Sequence, residues 1–197
     1  MGKQERSALT RAALVRAGGA VFSSTPFSRA RIVDVLQLVG LTQGAFYFHF
    51  ENKRALALEI INRELELMTE LTLNVRDTST NALSALSRMS QDLGRLIQSD
   101  PVVQGGLRLT MQSADEFPEV IGASYIMWFE TISQIIQSGV TEGSIRSDIE
   151  ISEAAEFVVT AFVGSQQIAS VNPMWEGLAD RLRTTESFVL AALAASR

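Results

Sequence analysis

The segment VGLTQGAFYFHF, residues 39–50, constrains the fold more than any other stretch of the 197-residue chain. It continues the apolar run RIVDVLQLV, in which Ile32 and Leu36 fall on one helical stripe. Gly40 permits a left-handed turn at the end of that run, and Thr42 is placed to cap a new helix by accepting a backbone N–H bond. The pattern therefore predicts two short helices joined by a tight glycine turn, which is a helix-turn-helix.

The second helix of this pair has two different sides. At about 100° per residue, Gln43, Gly44 and Tyr47 share one arc, while Phe46 and Phe50 lie on the opposite side. We expect the two phenylalanines to be core and the other three residues to form an exposed reading side. The small Gly44 would let the backbone come close to a groove wall.

Two features beside this helix leave alternatives open. His49 is the only histidine, and it lies off the exposed arc, which Phe48 shares with Gln43, Gly44 and Tyr47. Without cysteines or nearby carboxylates, His49 is a poor candidate for a metal ligand. Two roles are left for His49: contact with a phosphate, or ordinary capping or packing. Upstream, either Ser28 starts the preceding helix early, or Arg29 and Arg31 are recruited to the phosphate backbone.

The charge is divided unevenly along the chain. Residues 1–56 hold eight basic and three acidic side chains, a net charge of +5, and the other residues hold nine basic and nineteen acidic side chains, a net charge of −10. A basic N-terminal segment followed by an acidic remainder is expected when the basic segment contacts phosphate, as in nucleic acid. Chance segregation of surface charges is the alternative.

The bulk composition excludes several other classes of protein. There is no cysteine, so disulfides and thiolate metal sites are excluded, and we expect no metal or cofactor. The chain shows no signal-peptide pattern and no membrane-length apolar run, so we expect a soluble cytoplasmic protein. An enzyme is disfavoured because no Ser-His-Asp order, phosphate-cradling glycine loop or pair of carboxylates stands out.

The chain reads as all-α, since no convincing period-2 alternation is found. The first helix is expected at 5–23, with a stripe of Leu9, Ala12, Ala13, Arg16 and Ala20. Further helices are expected at about 53–75, 80–98, 119–141, 151–170 and 174–195, with a shorter one, weakened by two glycines, over VVQGGLRLTMQS.

The stretch LTQGAFYFHFENKRALALEII resembles the helix-turn-helix signature of TetR-type transcriptional repressors, which is close to T-K-G-A-L-Y-F-H-F-x-S-K-E-x-L. The resemblance implies an N-terminal three-helix DNA-binding domain, here residues 1–52, and a larger helical ligand-binding and dimerising domain, here residues 53–197. It also implies that Tyr47, His49 and Lys53 touch phosphates. Thr42, Gln43 and Gly44 would open the recognition helix.

The chain departs from that signature at two places. Gln43 stands where the family usually has Lys or Arg, which lowers the positive charge and substitutes an amide able to pair with adenine in the major groove. Ala30 stands where the family's capping Thr is expected, so the start of the preceding helix is poorly defined by the sequence.

In the body, DPVVQGGLRLTMQ followed by a tryptophan in the next long helix resembles the γ-butyrolactone-receptor group of TetR-type repressors. The resemblance implies that Trp128 lies against a ligand, whereas an aromatic residue at helical spacing is otherwise core. Thr160 is either a ligand hydrogen-bond donor or is bonded to its own helix. Leu107 and Met111 share a helix face and are candidates to line the same cavity.

These features together predict a ligand-responsive repressor. It would bind a pseudopalindromic operator as a homodimer and be released by a small hydrophobic lactone- or furan-like signal. We expect the last two helices to form the dimer, because small residues permit close approach and Val158, Phe162, Phe188 and Leu193 supply apolar area. The alternative is a helical ligand-binding or interaction protein without sequence-specific DNA binding.

Overall fold

The computed structural model describes residues 2–112, 114–172 and 175–195. Apart from one isolated bridge between Ile145 and Ala194, every regular element in those ranges is helical, which confirms the all-α prediction. Within the same ranges, no helix combines the length and hydropathy that crossing a membrane requires. In chain order the α-helices are α1 (Lys3–Ser24), α2 (Ile32–Val39), α3 (Gln43–His49), α4 (Lys53–Thr78), α5 (Ala82–Ser99), α6 (Pro101–Gln112), α7 (Pro118–Glu142), α8 (Ile151–Ala169) and α9 (Leu178–Leu193), with a 3-10 turn at Ala114–Glu116.

The helices form two compact units. The first consists of the residues up to Leu67 together with Ser99–Ile121, and the second of Met68–Gln98 together with the residues from Gly122 onward. The helix α6 therefore packs with the N-terminal helices although α4 and α5 precede it in the chain, and α4 contributes residues to both units. The sequence-based division at residue 52 concerns function and stays a prediction.

The helix α1 buries a different side from the one that its alanine stripe predicts. Leu9 and Arg16 of that stripe are exposed, so the predicted stripe is wrong. The buried side carries Leu14, Val15, Ala17, Val21 and Phe22, which belong to the core of the first unit. These side chains include the largest apolar ones on the helix, and burial of their greater area decides which side faces the core.

The helices α1 and α6 meet backbone to backbone at two glycines. A Cβ atom on Gly19 would lie 2.6 Å from the carbonyl oxygen of Pro101, and one on Gly105 would lie 2.6 Å from the carbonyl oxygen of Gly19. Both distances are too short for any side chain, so glycine is required at this crossing. The glycines that weaken α6 in the sequence thus have a packing role, and α6 runs without a break through Pro101–Gln112.

The second unit is built on the apolar sides of α5 and α9. The buried residues of α5 include Leu86, Met89, Leu93 and Ile97, and those of α9 are Leu178, Leu182, Val189 and Leu193. The two helices touch where a Cβ atom on Gly94 would meet Leu182 at 2.7 Å. Leu193 is therefore part of the core of a single chain, and the expectation that it contributes to a dimer surface is wrong.

One carboxylic acid is buried in the first unit. Glu64 of α4 faces Gly106 of α6, where an added Cβ would lie 2.5 Å from the Glu64 Cβ. Burial raises the pKa of Glu64 to about 8, since the charged form loses its hydration. The side chain is consequently protonated in the folded protein at a pH where an exposed glutamate is ionised.

This burial predicts a pH-dependent stability. Between the ordinary pKa of 4.5 and about 8 the folded state holds a proton that the unfolded state releases, so the free energy of unfolding falls as the pH rises through this window. We expect Glu64→Gln to remove that fall and to stabilise the protein most at the alkaline end. Urea unfolding across about pH 5 to pH 9 measures it, with Glu70→Gln, an exposed position of α4, as control. Equal slopes for wild type and Glu64→Gln would show that Glu64 titrates normally.

Candidate nucleic-acid interface

The turn between α2 and α3 has the geometry that the sequence predicts. Gly40 adopts φ 65° and ψ 30°, the left-handed conformation, and its N–H donates to the Leu36 carbonyl. The hydroxyl oxygen of Thr42 accepts a hydrogen bond from the Ala45 N–H at 3.3 Å, which caps α3. The glycine turn and the threonine cap are both confirmed, and they fix where the recognition helix begins.

The helix α3 is anchored on its inner side and open on its outer side. Phe46 and Phe50 are buried with ring centroids 5.7 Å apart, as predicted. Gln43, Gly44 and Tyr47 are exposed together on the outer side, with 55% of Tyr47 accessible. The structure therefore places the three residues expected to contact DNA on one exposed surface, opposite the two buried phenylalanines.

Phe48 is a further candidate contact residue, beyond those predicted from the sequence. It is 75% exposed beside Tyr47, and its ring meets the His49 ring edge-on at 5.0 Å. An exposed aromatic side chain in a major groove suits the methyl group of thymine. The signal was present in the sequence, because Phe48 falls on the same arc as Gln43 and Tyr47.

The end of α3 is held by Arg11 of α1, which is also not among the residues predicted from the sequence. The Arg11 guanidinium donates to the carbonyl oxygen of His49 at 3.1 Å, pairs with Glu59 at 2.9 Å, and lies 4.4 Å from the centre of the Phe50 ring. A cation at the C-terminal end of a helix satisfies carbonyls that have no partner within the helix. His49 itself is half-buried. Its role at a phosphate stays a prediction.

Lys53 lies at the start of α4 and is tied to the loop before α2. Its ammonium donates to the carbonyl oxygens of Phe27 at 2.6 Å and Ala30 at 2.9 Å, and lies 4.5 Å from the centre of the Phe27 ring. An ammonium group has three donors, so one N–H and the full charge remain for a phosphate. Lys53 therefore has a structural task beside the phosphate contact expected of it.

Arg31 immediately precedes α2, which begins at Ile32 and not at Ser28. Its guanidinium forms two hydrogen bonds with the Asp34 carboxylate, at 2.7 and 3.2 Å, and these lower the pKa of Asp34. The Arg31 side chain is nevertheless 73% exposed. The cation thus stays accessible at the N-terminal end of α2, although Asp34 offsets part of its charge.

The four residues proposed for a ligand are divided between the two units. Leu107 and Met111 belong to α6 in the first unit, buried and half-buried respectively. Trp128 belongs to α7 in the second unit, where its ring stacks on Phe162 of α8 at 6.1 Å and 17°. Thr160 is exposed, on the opposite side of α8 from Phe162 by helical geometry. Its role as a ligand donor stays a prediction.

A capped recognition helix with an exposed polar and aromatic arc, followed by a larger helical body, defines a helix-turn-helix DNA-binding protein. Residues 14–60 match the model for bacterial regulatory proteins of the tetR family, and residues 80–190 match the tetracyclin repressor-like C-terminal domain. The chain belongs to the TetR family.

Individual relatives are similar over most of the chain. The A-factor receptor protein of Streptomyces griseus is 25% identical over 175 residues, which cover 87% of this chain and 59% of the receptor. The chain thus spans less than two thirds of that receptor. A solved structure concerned with control of antibiotic production by a bacterial hormone has a TM-score of 0.83 at 26% identity, and covers 94% of this chain and 98% of its own. CprB of Streptomyces coelicolor, solved with its operator, shares the fold with a TM-score of 0.83 at 22% identity, covering 96% and 90%.

The two carbonyl contacts of Lys53 predict a loss of stability when they are removed. Lys53→Met keeps an apolar stem near the Phe27 ring but leaves the Phe27 and Ala30 carbonyls without their ammonium. We expect the free energy of unfolding to fall by roughly 1–3 kcal/mol, the usual range for hydrogen bonds to charged groups. Denaturant unfolding measures the change in free energy. The control is Arg29→Met, which removes an exposed cation from the loop that contains Phe27 and Ala30. A loss no larger than that of the control would contradict a structural role for Lys53.

Proposed function

We propose that this chain is a ligand-responsive transcriptional repressor that binds a pseudopalindromic operator as a homodimer in the cytoplasm. The observation that carries the proposal is α3, whose Gln43, Gly44 and Tyr47 are exposed on one arc while Phe46 and Phe50 hold the opposite side in the core. A short, rigid helix with this division of its surface suits insertion into the major groove.

The contacts expected on this surface are of two kinds: phosphate contacts, which position the protein on DNA, and base contacts, which recognise the sequence. The phenol of Tyr47, the imidazole of His49 and the cations of Lys53 and Arg31 are suited to phosphates, which fix the register without reading sequence. The Gln43 amide both donates and accepts, so it matches the N6 and N7 atoms of adenine. Gln43 is therefore the residue expected to specify a base in each half-site.

Release by a small molecule is the second part of the proposal. The A-factor receptor protein is named a receptor, and the structural relative at 26% identity concerns a bacterial hormone, which supports a small signalling molecule as effector. Trp128 and Phe162 supply flat apolar surface for the ring of a lactone or furan. Such an effector releases DNA only if it binds more tightly to the conformation that fits the operator poorly.

The dimer surface proposed for this chain lies on the outward sides of α8 and α9. The two helices are linked by a hydrogen bond between the hydroxyls of Ser165 and Thr185 at 2.8 Å. Phe188 of α9 is 71% exposed, and the exposed large apolar residues of α8 and the turn after it are Phe157, Ile168 and Val171. Apolar side chains exposed together along neighbouring helices are typical of a subunit contact.

The reading role of Gln43 is tested against a positioning residue of the same helix. Gln43→Ala should change the preferred base at one position of each half-site, because only base contacts carry sequence information. Tyr47→Phe, which removes one hydroxyl, should weaken binding to all duplexes by a similar factor. Selection from random duplexes followed by affinity titration measures both effects.

Two outcomes would contradict this part of the proposal. An unchanged base preference in Gln43→Ala would remove Gln43 from the reading surface. Selection of no common sequence by the wild-type chain, at any salt concentration that permits binding, would favour a helical ligand-binding protein without sequence-specific DNA binding.

The dimer surface is tested by placing a charge in it. Phe188→Glu should yield monomers in sedimentation at micromolar protein, because the carboxylate would have to be buried without a partner. Leu9→Glu changes another exposed apolar residue, on α1, and should leave the dimer intact. Dimers that persist in Phe188→Glu would place the subunit contact elsewhere.

A further inference from the structure

The two ends of the recognition helix α3 are held in different ways. Its N-terminal end is closed locally, because the Thr42 hydroxyl accepts from the Ala45 N–H of the first turn. At the other end Phe50 is extended, with φ −135° and ψ 128°, and its N–H bonds to the Phe46 carbonyl. The last carbonyls of a helix have no partner within the helix. The C-terminal end of α3 therefore depends on a partner from elsewhere in the fold.

A single side chain of α1 supplies that partner. Arg11 Nη1 donates to the His49 carbonyl oxygen at 3.1 Å, across a separation of 38 residues. Nη2 of the same guanidinium pairs with Glu59 Oε2 of α4 at 2.9 Å, and its central carbon lies 4.4 Å from the centre of the Phe50 ring. A guanidinium offers several donors in one plane and a flat face for an aromatic ring, so it makes all three contacts at once. Arg11 thus joins α1, the end of α3 and α4.

The ion pair argues against Arg11 as a phosphate contact. The Glu59 carboxylate offsets the charge of the guanidinium, and it would repel a phosphate brought to the same group. Both side chains are half-buried. Arg11 is therefore committed to protein groups, and any effect that it has on DNA binding is exerted through the helix that it holds.

The residue that Arg11 holds stands among the side chains expected to contact DNA. The His49 carbonyl belongs to the same residue as the imidazole proposed for a phosphate, and the Phe48 ring meets that imidazole edge-on at 5.0 Å. Tyr47 precedes them directly. Groups that contact a ligand must be held within about 0.5 Å of their productive positions, which requires supporting contacts. A tilt of the C-terminal end of α3 would displace Tyr47, Phe48 and His49 together.

From this arrangement we infer that Arg11 is a positioning residue for sequence recognition. It sets the angle of α3 in the major groove through the His49 carbonyl, and Glu59 orients it. The inference rests on the proposed operator binding and adds a residue to it. Base contacts require the correct angle of the recognition helix, whereas non-specific binding depends on charge. Arg11 therefore acts on the preference for one sequence over others.

The ratio of two DNA affinities tests this role. The probes are a duplex that the wild-type chain selects from random sequences and a scrambled duplex of the same length and composition. Arg11→Met keeps an apolar stem near the Phe50 ring but loses both polar contacts. We expect it to weaken binding to the selected duplex by about 10- to 100-fold, a loss of the size that one mismatched base pair causes. Binding to the scrambled duplex should weaken by less than about 3-fold, because only one paired charge is removed.

The first unit offers a matched control. Arg63 and Glu66 of α4 form another exposed ion pair, at 2.8 Å. Arg63→Met removes the same charge as Arg11→Met, at a position outside α1 and α3. We expect it to weaken both duplexes by the same small factor.

Two further variants assign the effect to the three-way contact. Arg11→Lys keeps the charge but has neither the plane nor the fork of donors, so it should restore binding to the scrambled duplex fully and binding to the selected duplex only in part. Glu59→Ala should weaken the selected duplex in the wild-type background and cause no further loss in Arg11→Met. Such non-additivity is expected when two residues act through one contact.

A measurement without DNA shows whether Arg11 holds α3. Amide hydrogen exchange over residues 46–50 should become about 10-fold faster in Arg11→Met, because local opening of the helix end becomes easier. Exchange in α9 should not change, and Arg63→Met should leave both segments as in wild type.

Equal losses for the two duplexes in Arg11→Met would overturn the inference. Equal losses with a salt slope smaller by about one would make Arg11 a phosphate contact. Equal losses with a thermal midpoint well below that of Arg63→Met would make it a residue of general stability. Unchanged exchange over residues 46–50 would also overturn the inference. If wild type selects no duplex, the repressor proposal fails, and exchange in the DNA-free chain still decides whether Arg11 holds α3.

Discussion

The crossing of α1 and α6 at Gly19 and Gly105 is the contact on which the first unit depends. The backbones touch there, since a Cβ on either glycine would lie within 2.6 Å of a carbonyl oxygen. Side chains adjust by changing rotamer, but two backbones in contact have no such freedom. Side chains of α4 also pack directly on glycines of α1 and α6: a Cβ on Gly18 would meet the Ile60 side chain at 2.7 Å, and one on Gly106 would meet the Glu64 Cβ at 2.5 Å. Three helices are thus held as one rigid support for α2 and α3.

That support explains how a seven-residue helix is held firmly enough to read DNA. An isolated helix as short as α3 is unstable in water, so its order must come from tertiary contacts. Phe46 and Phe50 bind it to the core, and Arg11 of α1 binds its last carbonyl. Lys53 of α4 fastens the loop that leads into α2. Gln43, Gly44 and Tyr47 stay exposed on the outer arc, so they are accessible for contact with bases and phosphates.

Local features of the fold were predictable from the sequence, and contacts between distant segments were not. The Gly40 turn, the Thr42 cap and the two sides of α3 follow from chemistry within a few residues, and the structure has all three. The side that α1 buries depends on the position of α6, about eighty residues later in the chain. The alanine stripe of α1 therefore predicts the wrong side. The attachment of Lys53 to Phe27 and Ala30, and the burial of Glu64 and Gln166, likewise require a neighbour that periodicity does not locate. Phe48 differs, because its place on the exposed arc of α3 follows from the sequence and only its contact role was not predicted.

The two-sided surface of α8 links the proposed effector site to the proposed dimer. Phe162 and Gln166 lie on its inner arc, while Phe157, Thr160 and Ile168 lie on the outward arc. A helix that is apolar on both sides must bury both, and within one chain only the inner arc is covered. A ligand on the inner arc and a second subunit on the outer arc therefore act on the same rigid element. Because any shift of α8 that improves one contact changes the geometry of the other, we expect effector binding and the subunit arrangement to be coupled through α8, and that coupling to be reciprocal.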